Sequence, residues 1–243
     1  MKSQSELGRV LVVPISAIKK VGVLQRFTFN VDPYLRMILD PRIHQFVERA
    51  TAEVSSDYRQ IIPYVLLCAG DRVCTYRRGV EVRDIRTAGW RSIGFGGHII
   101  PKDVTPAKGA HWYTKAARRE VCEEVVVTQI VDEEIIGIVS DPSSAVGRVH
   151  LGVVHIWDVS GAQIKARESQ IGDISFMTMR DLDRRLQELE PWSCSIVETV
   201  RRFAKPAFSR TPQRESSSLF ETLFNLKTRF GYDKHSRIST AKR

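Results

Sequence analysis

The stretch Arg119-Glu120-Val121-Cys122-Glu123-Glu124-Val125 carries the most information in this chain of 243 residues. At about 100° per residue, Glu120, Glu123 and Glu124 fall within an arc of roughly 100° on a helix, and the apolar residues of the stretch form the neighbouring stripe. The pattern therefore predicts a helix over about residues 113–125 that packs by one face and carries three carboxylates on the next.

Three glutamates on one helix face repel one another. Each like-charge pair three or four residues apart costs about 0.2–0.5 kcal/mol, and the C-terminal end of a helix disfavours anions. Arg119 can reach Glu123, but no Lys or Arg stands four residues after any of the three glutamates. Bound Mg²⁺ or Mn²⁺ would relieve this repulsion, since both ions prefer carboxylate, water and phosphate oxygens. The alternative is an acidic helix face that is simply solvated.

Residues 90–100 precede this helix and are predicted to form a strand region that runs into Gly96 and Gly97. Backbone without a Cβ atom admits a phosphate group closely. Gly96, Gly97 and the adjacent His98 are therefore the predicted substrate-binding residues, although His98 could instead cap the loop by hydrogen bonding. Trp90 and Trp112 could stack on a nucleobase or pack in the core or at its rim.

The arrangement resembles the Nudix box. In that motif, Gly, five residues, Glu and seven residues precede Arg-Glu, an apolar residue, any residue, Glu-Glu, any residue, Gly and an apolar residue. The positions that match its second half are Arg119, Glu120, Val121, Glu123, Glu124 and Val127. Gly97 resembles the opening glycine. His111 stands where the first Glu belongs, thirteen residues rather than five separate it from Gly97, and Val126 replaces the later Gly.

The resemblance extends from about residue 59 to residue 198, to a subgroup described as predicted Nudix (MutT-like) phosphoesterases. The further segments that carry it are Ile62-Pro63-Tyr64, Tyr76-Arg77-Arg78-Gly79, Ser92-Ile93-Gly94-Phe95-Gly96-Gly97-His98-Ile99, Gly147-Arg148-Val149-His150-Leu151-Gly152 and Glu190-Pro191-Trp192-Ser193. The resemblance implies the Nudix α/β/α sandwich, with a mixed sheet between helices. It also implies hydrolysis of a nucleoside diphosphate linked to another moiety, with Mg²⁺ or Mn²⁺ as cofactor.

The resemblance also implies roles for individual residues. Glu120, Glu123 and Glu124 would hold the metal, and Glu123 would in addition orient the attacking water. Arg119 would hold the glutamates in place. A further carboxylate comes from a later segment in many Nudix proteins, and Glu168 is the candidate by location; its alternative is an exposed loop glutamate.

Three regions are predicted along the chain. Residues 1–58 form an N-terminal extension that packs on the core, residues 59–199 the Nudix hydrolase domain, and residues 200–243 a basic tail. The net charge is +9, and the tail holds eleven Lys or Arg against three Asp or Glu. Ser218 and Glu221 are placed as a capping box, which predicts a short amphipathic helix that docks on the body, on a partner or on a membrane surface.

The remaining periodicities indicate a mixed α/β or α+β fold. The predicted strands are 10–13, 61–67, 72–77, 135–139 and 147–159, with 61–67 and 72–77 forming a hairpin, and a further strand is expected around Phe176. The other predicted helices cover 41–54, with Asp40 as its N-cap, and 180–190.

Several classes of protein are excluded by what the sequence lacks. It has no apolar run long enough for a membrane span and no secretory signal, and its four cysteines show no Cys-x-x-Cys spacing, so a cytoplasmic location is expected. His150 and His155 should lie on opposite faces of a strand, so they are not expected to share a zinc ion. Serine-hydrolase, zincin and Walker motifs are missing.

Two other functions are consistent with the sequence. A Nudix-fold module that has lost catalysis could bind a nucleotide or a protein, as His111 and Val126 suggest. Alternatively, the basic tail could supply affinity for nucleic acid, with hydrolysis directed at an RNA end. The sequence does not indicate an oligomeric state.

Overall fold

The two longest apolar strands of the sequence lie side by side at the centre of a mixed sheet. In the computed structural model, which describes residues 8–22, 26–79, 89–104, 111–204 and 218–231, β4 (Tyr58–Ala69) pairs in parallel with β9 (His150–Asp158) over nine residues. Both strands are almost wholly buried. Burial on both faces explains why their sequences are continuously apolar rather than alternating.

The other strands extend this centre in antiparallel pairs, except for two that form a small separate sheet. The central path runs β11-β5-β4-β9-β8-β2, while β1 pairs with β3 and β4, and β6 with β5; β7 and β10 form the second sheet. The bounds of these strands are β1 (Arg9–Pro14), β2 (Phe27–Thr28), β3 (Gln45–Glu48), β5 (Arg72–Arg78), β6 (Arg91–Ser92), β7 (Val125–Val127), β8 (Asp132–Val139), β10 (Ile164–Ala166) and β11 (Ile171–Thr178).

Helices cover both faces of the large sheet. The seven α-helices of the described residues are α1 (Ile15–Val21), α2 (Asp32–Leu39), α3 (Arg49–Ala52), α4 (His111–Glu124), α5 (Met179–Asp183), α6 (Pro191–Phe203) and α7 (Leu219–Phe230). Residues of α5, α6 and α7 pack with Leu66 and Val154 on one face. Residues of α1, α2 and α4 pack with Ile61 and Leu151 on the other. The expected α/β fold, with a mixed sheet between helices, is confirmed.

The hairpin predicted for residues 61–77 is present. Cys68 pairs with Val73 and Ala69 with Arg72, and Gly70 makes the turn with φ of +58°. This left-handed conformation favours glycine. The predicted strands 10–13, 135–139 and 147–159 correspond to β1, β8 and β9, although β9 begins at His150 because residues 142–149 form turns.

The helix predicted for residues 41–54 is wrong. Residues 45–48 form β3, which pairs with β1, and only the four residues of α3 are helical. Asp40 does not cap a helix: its carboxylate accepts from the backbone N–H and the side chain of Arg42. The helix begins instead at the preceding Asp-Pro pair, where Asp32 and Pro33 open α2.

Two further predictions need correction. Within residues 90–100 only Arg91–Ser92 form a strand, followed by a single bridge between Phe95 and Val65. The positive φ of Gly96, +144°, interrupts the extended backbone. The helix predicted for 180–190 ends at Asp183, and a 3-10 turn covers Leu186–Glu188. The chain then extends so that the Glu190 N–H donates to the Arg91 carbonyl.

The helix α7 docks on the body of the protein. Ser218 and Glu221 form the capping box expected from the sequence. Leu219, Phe220 and Leu223 are buried against the sheet face that α5 and α6 also cover. Within the basic tail predicted for residues 200–243, residues 205–217 and 232–243 lie outside the described residues. No helix of the part of the chain described here is long and apolar enough to cross a membrane.

We predict that Leu223→Ala lowers the free energy of unfolding by about 2–5 kcal/mol, because its side chain is fully buried and would leave a cavity. The matched control is Phe224→Ala in the same helix, whose side chain is 40% exposed and which should cost less than about 1 kcal/mol. Urea unfolding measures both. Equal losses in the two variants would contradict the docking of α7.

Candidate functional site

One cleft collects every residue that the sequence singled out as a site residue. It has a volume of about 820 Å³, and its lining includes Arg119, Glu120, Glu123, Glu124, Glu168, Gly96, Gly97 and His98. The acidic face of α4 therefore faces the glycine segment, as the order of strand, glycines, loop and helix predicts. His111, at the motif position of the first Glu, is exposed and is not among the residues of this lining.

The apolar face of α4 fixes the position of its carboxylates. Trp112, Tyr113, Ala116, Ala117 and Val121 are buried, and most of them pack against the central strands. Because residues three and four apart share a helix face, burying this stripe turns the three glutamates toward the cleft.

Gly96 connects the glycine segment to α4 on one side and to β4 on the other. Its backbone N–H donates to Glu124 Oε2 at 3.0 Å. Its φ is +144°, and a Cβ atom at this position would lie 1.9 Å from the carbonyl oxygen of Pro63. A residue with a side chain is therefore excluded by both conformation and space.

The missing side chain of Gly97 makes room for a carboxylate, whereas that of Gly96 makes room for a backbone carbonyl. A Cβ atom here would lie 2.3 Å from Glu120 Oε2. The Glu120 side chain thus occupies the space that a larger residue would need, and the carboxylate lies directly against the glycine backbone.

Arg119 organises the acidic face. It binds Asp103 with two nitrogens, at 2.8 Å from Oδ1 and 2.6 Å from Oδ2, and donates to the carbonyl oxygen of His98 at 3.1 Å. It also donates to Glu120 Oε1 at 2.6 Å and lies 3.3 Å from Glu123 Oε1. This planar, forked side chain therefore connects the loop ahead of α4 to two of its three glutamates.

Glu168 reaches the cleft from a loop that is fastened to the end of α4. The backbone N–H of Arg167 donates to the carbonyl oxygen of Glu124 at 2.8 Å. Gln170 donates to the Glu168 carboxylate. Glu168 therefore lies beside the helix glutamates, while Glu123, with 47% of its side chain exposed, is the most accessible of the three.

The environment of the glutamates disfavours their charge. Burial raises the pKa of Glu124 to about 8 and the pKa of Glu120 to about 7, although Arg78 and Arg119, respectively, act in the opposite direction. A bound cation would favour the ionised forms. Glu120, Glu123, Glu124 and Glu168 could together offer an all-oxygen set of ligands to a divalent metal.

A buried polar network forms part of one wall of the cleft, and none of its members was predicted as a site residue. Glu190 Oε1 accepts from the hydroxyls of Tyr64 and Ser92, each at 2.6 Å, and Oε2 accepts from Arg78 at 3.2 Å. Arg78 and Glu190 lie in segments that carry the family resemblance, and their place in those segments is what could have indicated a role at the site. The network holds a cationic side chain at the cleft wall, near Glu124.

The N-terminal segment also contributes to the cleft, which the sequence did not indicate. Arg49 and Glu53 line it together with His98 and His150. Burial lowers the pKa of His98 well below its usual value. His155, by contrast, lies on the other side of β9, where it pairs with Tyr113 at 3.0 Å.

Trp90 and Trp112, the two tryptophans considered for stacking on a nucleobase, differ in their exposure. Trp90 is 42% exposed and lines the cleft. Trp112 is 5% exposed and belongs to the core.

We predict unequal losses of stability when the two neighbouring glycines are replaced by alanine. Gly96→Ala should cost at least about 2 kcal/mol of unfolding free energy, because the new Cβ meets backbone and the φ is unfavourable. Gly97→Ala should cost less than about 1 kcal/mol, because the end of the Glu120 side chain can move away. Urea unfolding of both variants tests this, and the reverse order of losses would contradict it.

Comparison with known proteins places the fold. No family model matches the sequence. The protein YmaB of Bacillus subtilis (strain 168) is 28% identical over 163 residues, with 63% of this chain and 77% of YmaB covered. The crystal structure of Tm1382, described as a candidate Nudix hydrolase, matches with a TM-score of 0.66 and 27% identity, covering 80% of this chain and 98% of Tm1382. This chain shares that fold, and its helix α4 carries an Arg-Glu pair and a Glu-Glu pair that face two glycines. The chain therefore belongs to the Nudix superfamily.

Proposed function

We propose that this protein is a metal-dependent hydrolase that cleaves the diphosphate linkage of a nucleoside diphosphate joined to another moiety. The observation that carries the proposal is the convergence of four carboxylates on one cleft opposite bare glycine backbone. Glu120, Glu123 and Glu124 come from α4, and Glu168 comes from the loop fastened to its end.

The carboxylate set fits Mg²⁺ or Mn²⁺. All of its donors are oxygens, which these hard ions prefer, and a site with few protein ligands leaves positions for water and substrate phosphate. Burial raises the pKa of Glu120 and of Glu124 and so disfavours their ionised forms. A divalent cation would compensate that cost more fully than the neighbouring arginines do.

The carboxylates of the cleft would have different roles in the reaction. When bound, the cation would neutralise the diphosphate and make a water molecule a better nucleophile at neutral pH. Glu120 and Glu124, which are held by Arg119 and by the Gly96 N–H, would serve as fixed ligands. Glu123 is the more exposed carboxylate and would orient the attacking water. Glu168 would act as a further ligand or as a proton acceptor.

The cleft also offers groups suited to the rest of such a substrate. Arg78 could neutralise phosphate oxygens, and its contact with Glu190 keeps the guanidinium at the cleft wall. The exposed ring of Trp90 could stack on a nucleobase. Gly97 and His98 would contact the diphosphate. A cytoplasmic location stays a prediction.

Metal-dependent turnover is the first prediction from this proposal. With Mg²⁺ or Mn²⁺, wild-type protein should release phosphorus-containing products from at least one of a panel of nucleoside di- and triphosphates, dinucleoside polyphosphates and nucleotide sugars. Glu123→Gln should lower the turnover rate about 100-fold or more. The loss of a metal ligand should cost at least as much activity as the loss of a residue that only hydrogen-bonds to a ligand. The matched control is Glu48→Gln, an exposed carboxylate outside the cleft, which should leave turnover unchanged.

The outcomes of this assay separate the alternatives. Nucleotide binding without turnover across the panel would overturn the hydrolase proposal and favour a non-catalytic Nudix-fold module. Turnover confined to RNA ends would favour the nucleic-acid-associated enzyme. Turnover that survives Glu123→Gln would remove that residue from the proposed mechanism.

Metal binding can be tested without any substrate. At 100 times its Kd, Mn²⁺ should stabilise the wild-type protein by about 2.7 kcal/mol, which is roughly 5–10 °C in Tm for a chain of this length. Glu124→Gln should lose most of this rise because a neutral amide is a poor ligand, and Glu48→Gln should retain it. Thermal unfolding with Mn²⁺ or with EDTA measures the shift; an undiminished shift in Glu124→Gln would contradict the ligand assignment.

A further inference from the structure

A second group of metal-binding side chains lies in the same cleft, outside the carboxylate set. Glu53 follows α3, His98 follows the two glycines, and His150 is the first residue of β9. One potential ligand atom from each lies within 4.8 Å of the other two. The three residues come from distant parts of the chain, so only the fold brings them together.

The distances suit a small cation held by two imidazoles. His98 Nε2 and His150 Nε2 are 3.4 Å apart. Two nitrogens that each lie about 2.0–2.1 Å from a tetrahedral zinc ion are separated by about 3.4 Å. His150 Nε2 lies 3.9 Å from Glu53 Oε1, so a small movement of the carboxylate would complete a three-ligand set.

Hydrogen bonding fixes which nitrogen of His150 faces this group. Its Nδ1 lies 2.8 Å from the carbonyl oxygen of Val146, and a carbonyl can only accept, so Nδ1 carries the hydrogen. In the neutral ring Nε2 is then the unprotonated nitrogen and points toward His98. A backbone carbonyl that orients the imidazole in this way is the common outer-sphere partner of a metal-binding histidine.

Two other contacts compete with a metal at this group: a hydrogen bond between the histidines and an ion pair of Glu53 with Arg49. An N–H···N hydrogen bond between the histidines would also give a separation of 3.4 Å. Such a bond, however, does not account for a carboxylate beside the same nitrogens. Arg49 Nε lies 3.5 Å from Glu53 Oε1 and could take the place of a cation. The Arg49 side chain is 40% exposed, and it can move into solvent when a more highly charged ion binds.

We propose that Glu53, His98 and His150 form a second metal site, selective for Zn²⁺ or a similar first-row ion. Imidazole nitrogens favour Zn²⁺, Co²⁺ and Ni²⁺, whereas the oxygen-only set on α4 favours Mg²⁺ or Mn²⁺. Three protein ligands leave a coordination position for water or a substrate oxygen, as in catalytic zinc sites. The cleft would thus hold two chemically different cations. This inference does not depend on the proposed hydrolysis.

The experiment uses Co²⁺ as the probe, because its visible absorption reports ligand type and geometry. Wild-type protein in excess Mg²⁺, which occupies the carboxylate set, is titrated with Co²⁺ alone. One equivalent should bind with intense visible absorption, and Zn²⁺ should displace it. His98→Gln and Glu53→Gln should each weaken Co²⁺ binding at least about tenfold. His111→Gln, which removes an exposed histidine outside the cleft, and Glu123→Gln should not change it.

Several results would overturn the proposal. These are no Co²⁺ absorption in the presence of Mg²⁺, unchanged affinity in either His98→Gln or Glu53→Gln, and loss of binding in Glu123→Gln or in His111→Gln. Circular dichroism checks the fold of each variant. If His98→Gln does not fold, the nearly isosteric Glu53→Gln decides, because its amide preserves volume and removes only the ligand charge.

Discussion

The close approach of residues 94–97 to strand β4 on one side and to helix α4 on the other is the constraint on which the site depends. Gly94 lies against the ring of Tyr64, Gly96 against the Pro63 carbonyl, and Gly97 against the Glu120 carboxylate. The three glycines meet three different neighbours: an aromatic ring, a backbone oxygen and a charged side chain. Because the segment is held from both sides, the carboxylates and the following histidine keep a fixed relation to each other.

The same geometry concentrates negative charge in a partly buried cleft. Arg119 is shared among Asp103, Glu120 and Glu123. Arg78 donates to Glu190 and acts on Glu124 only through its charge, so neither arginine neutralises one helix glutamate fully. Folding therefore retains an unfavourable electrostatic arrangement at the cleft and offsets it with apolar packing elsewhere. An arrangement of this kind favours any divalent cation that replaces part of the lost hydration.

The sequence predicted the parts of the structure that depend on local periodicity. The acidic face of α4, the hairpin turned by Gly70 and the capping box at Ser218 all rest on spacings within a few residues. The misplaced helix shows the limit of such signals. Two Asp-Pro pairs stand eight residues apart, at Asp32 and Asp40, and only the pairing of residues 45–48 with β1 decides between them. Local propensity cannot report that long-range pairing.

The residues of the candidate site also fall into two groups, those that the sequence could indicate and those that only tertiary contacts reveal. The α4 glutamates and the glycines could be found from their motif, and Glu190 only as part of a segment that carries the resemblance, whereas Asp103 and Glu53 stood in no such segment. Asp103 matters because it binds Arg119, and Glu190 because it binds Arg78. Glu53 lies beside His150 although 97 positions separate them in the chain. Their relevance arises from tertiary contacts, for which a single sequence carries no spacing signal.

The capped helix α7 has a consequence for how the basic C-terminal region can be studied. Its apolar side chains close one face of the main core, and Lys227 is paired with Glu134 at 2.6 Å. A truncation after residue 199 would expose that face to water, so a shortened protein would aggregate or unfold whatever the tail binds. Reversing individual charges in the full-length chain leaves the core covered. It is therefore the cleaner way to ask whether the positive charge of this region attracts a polyanion.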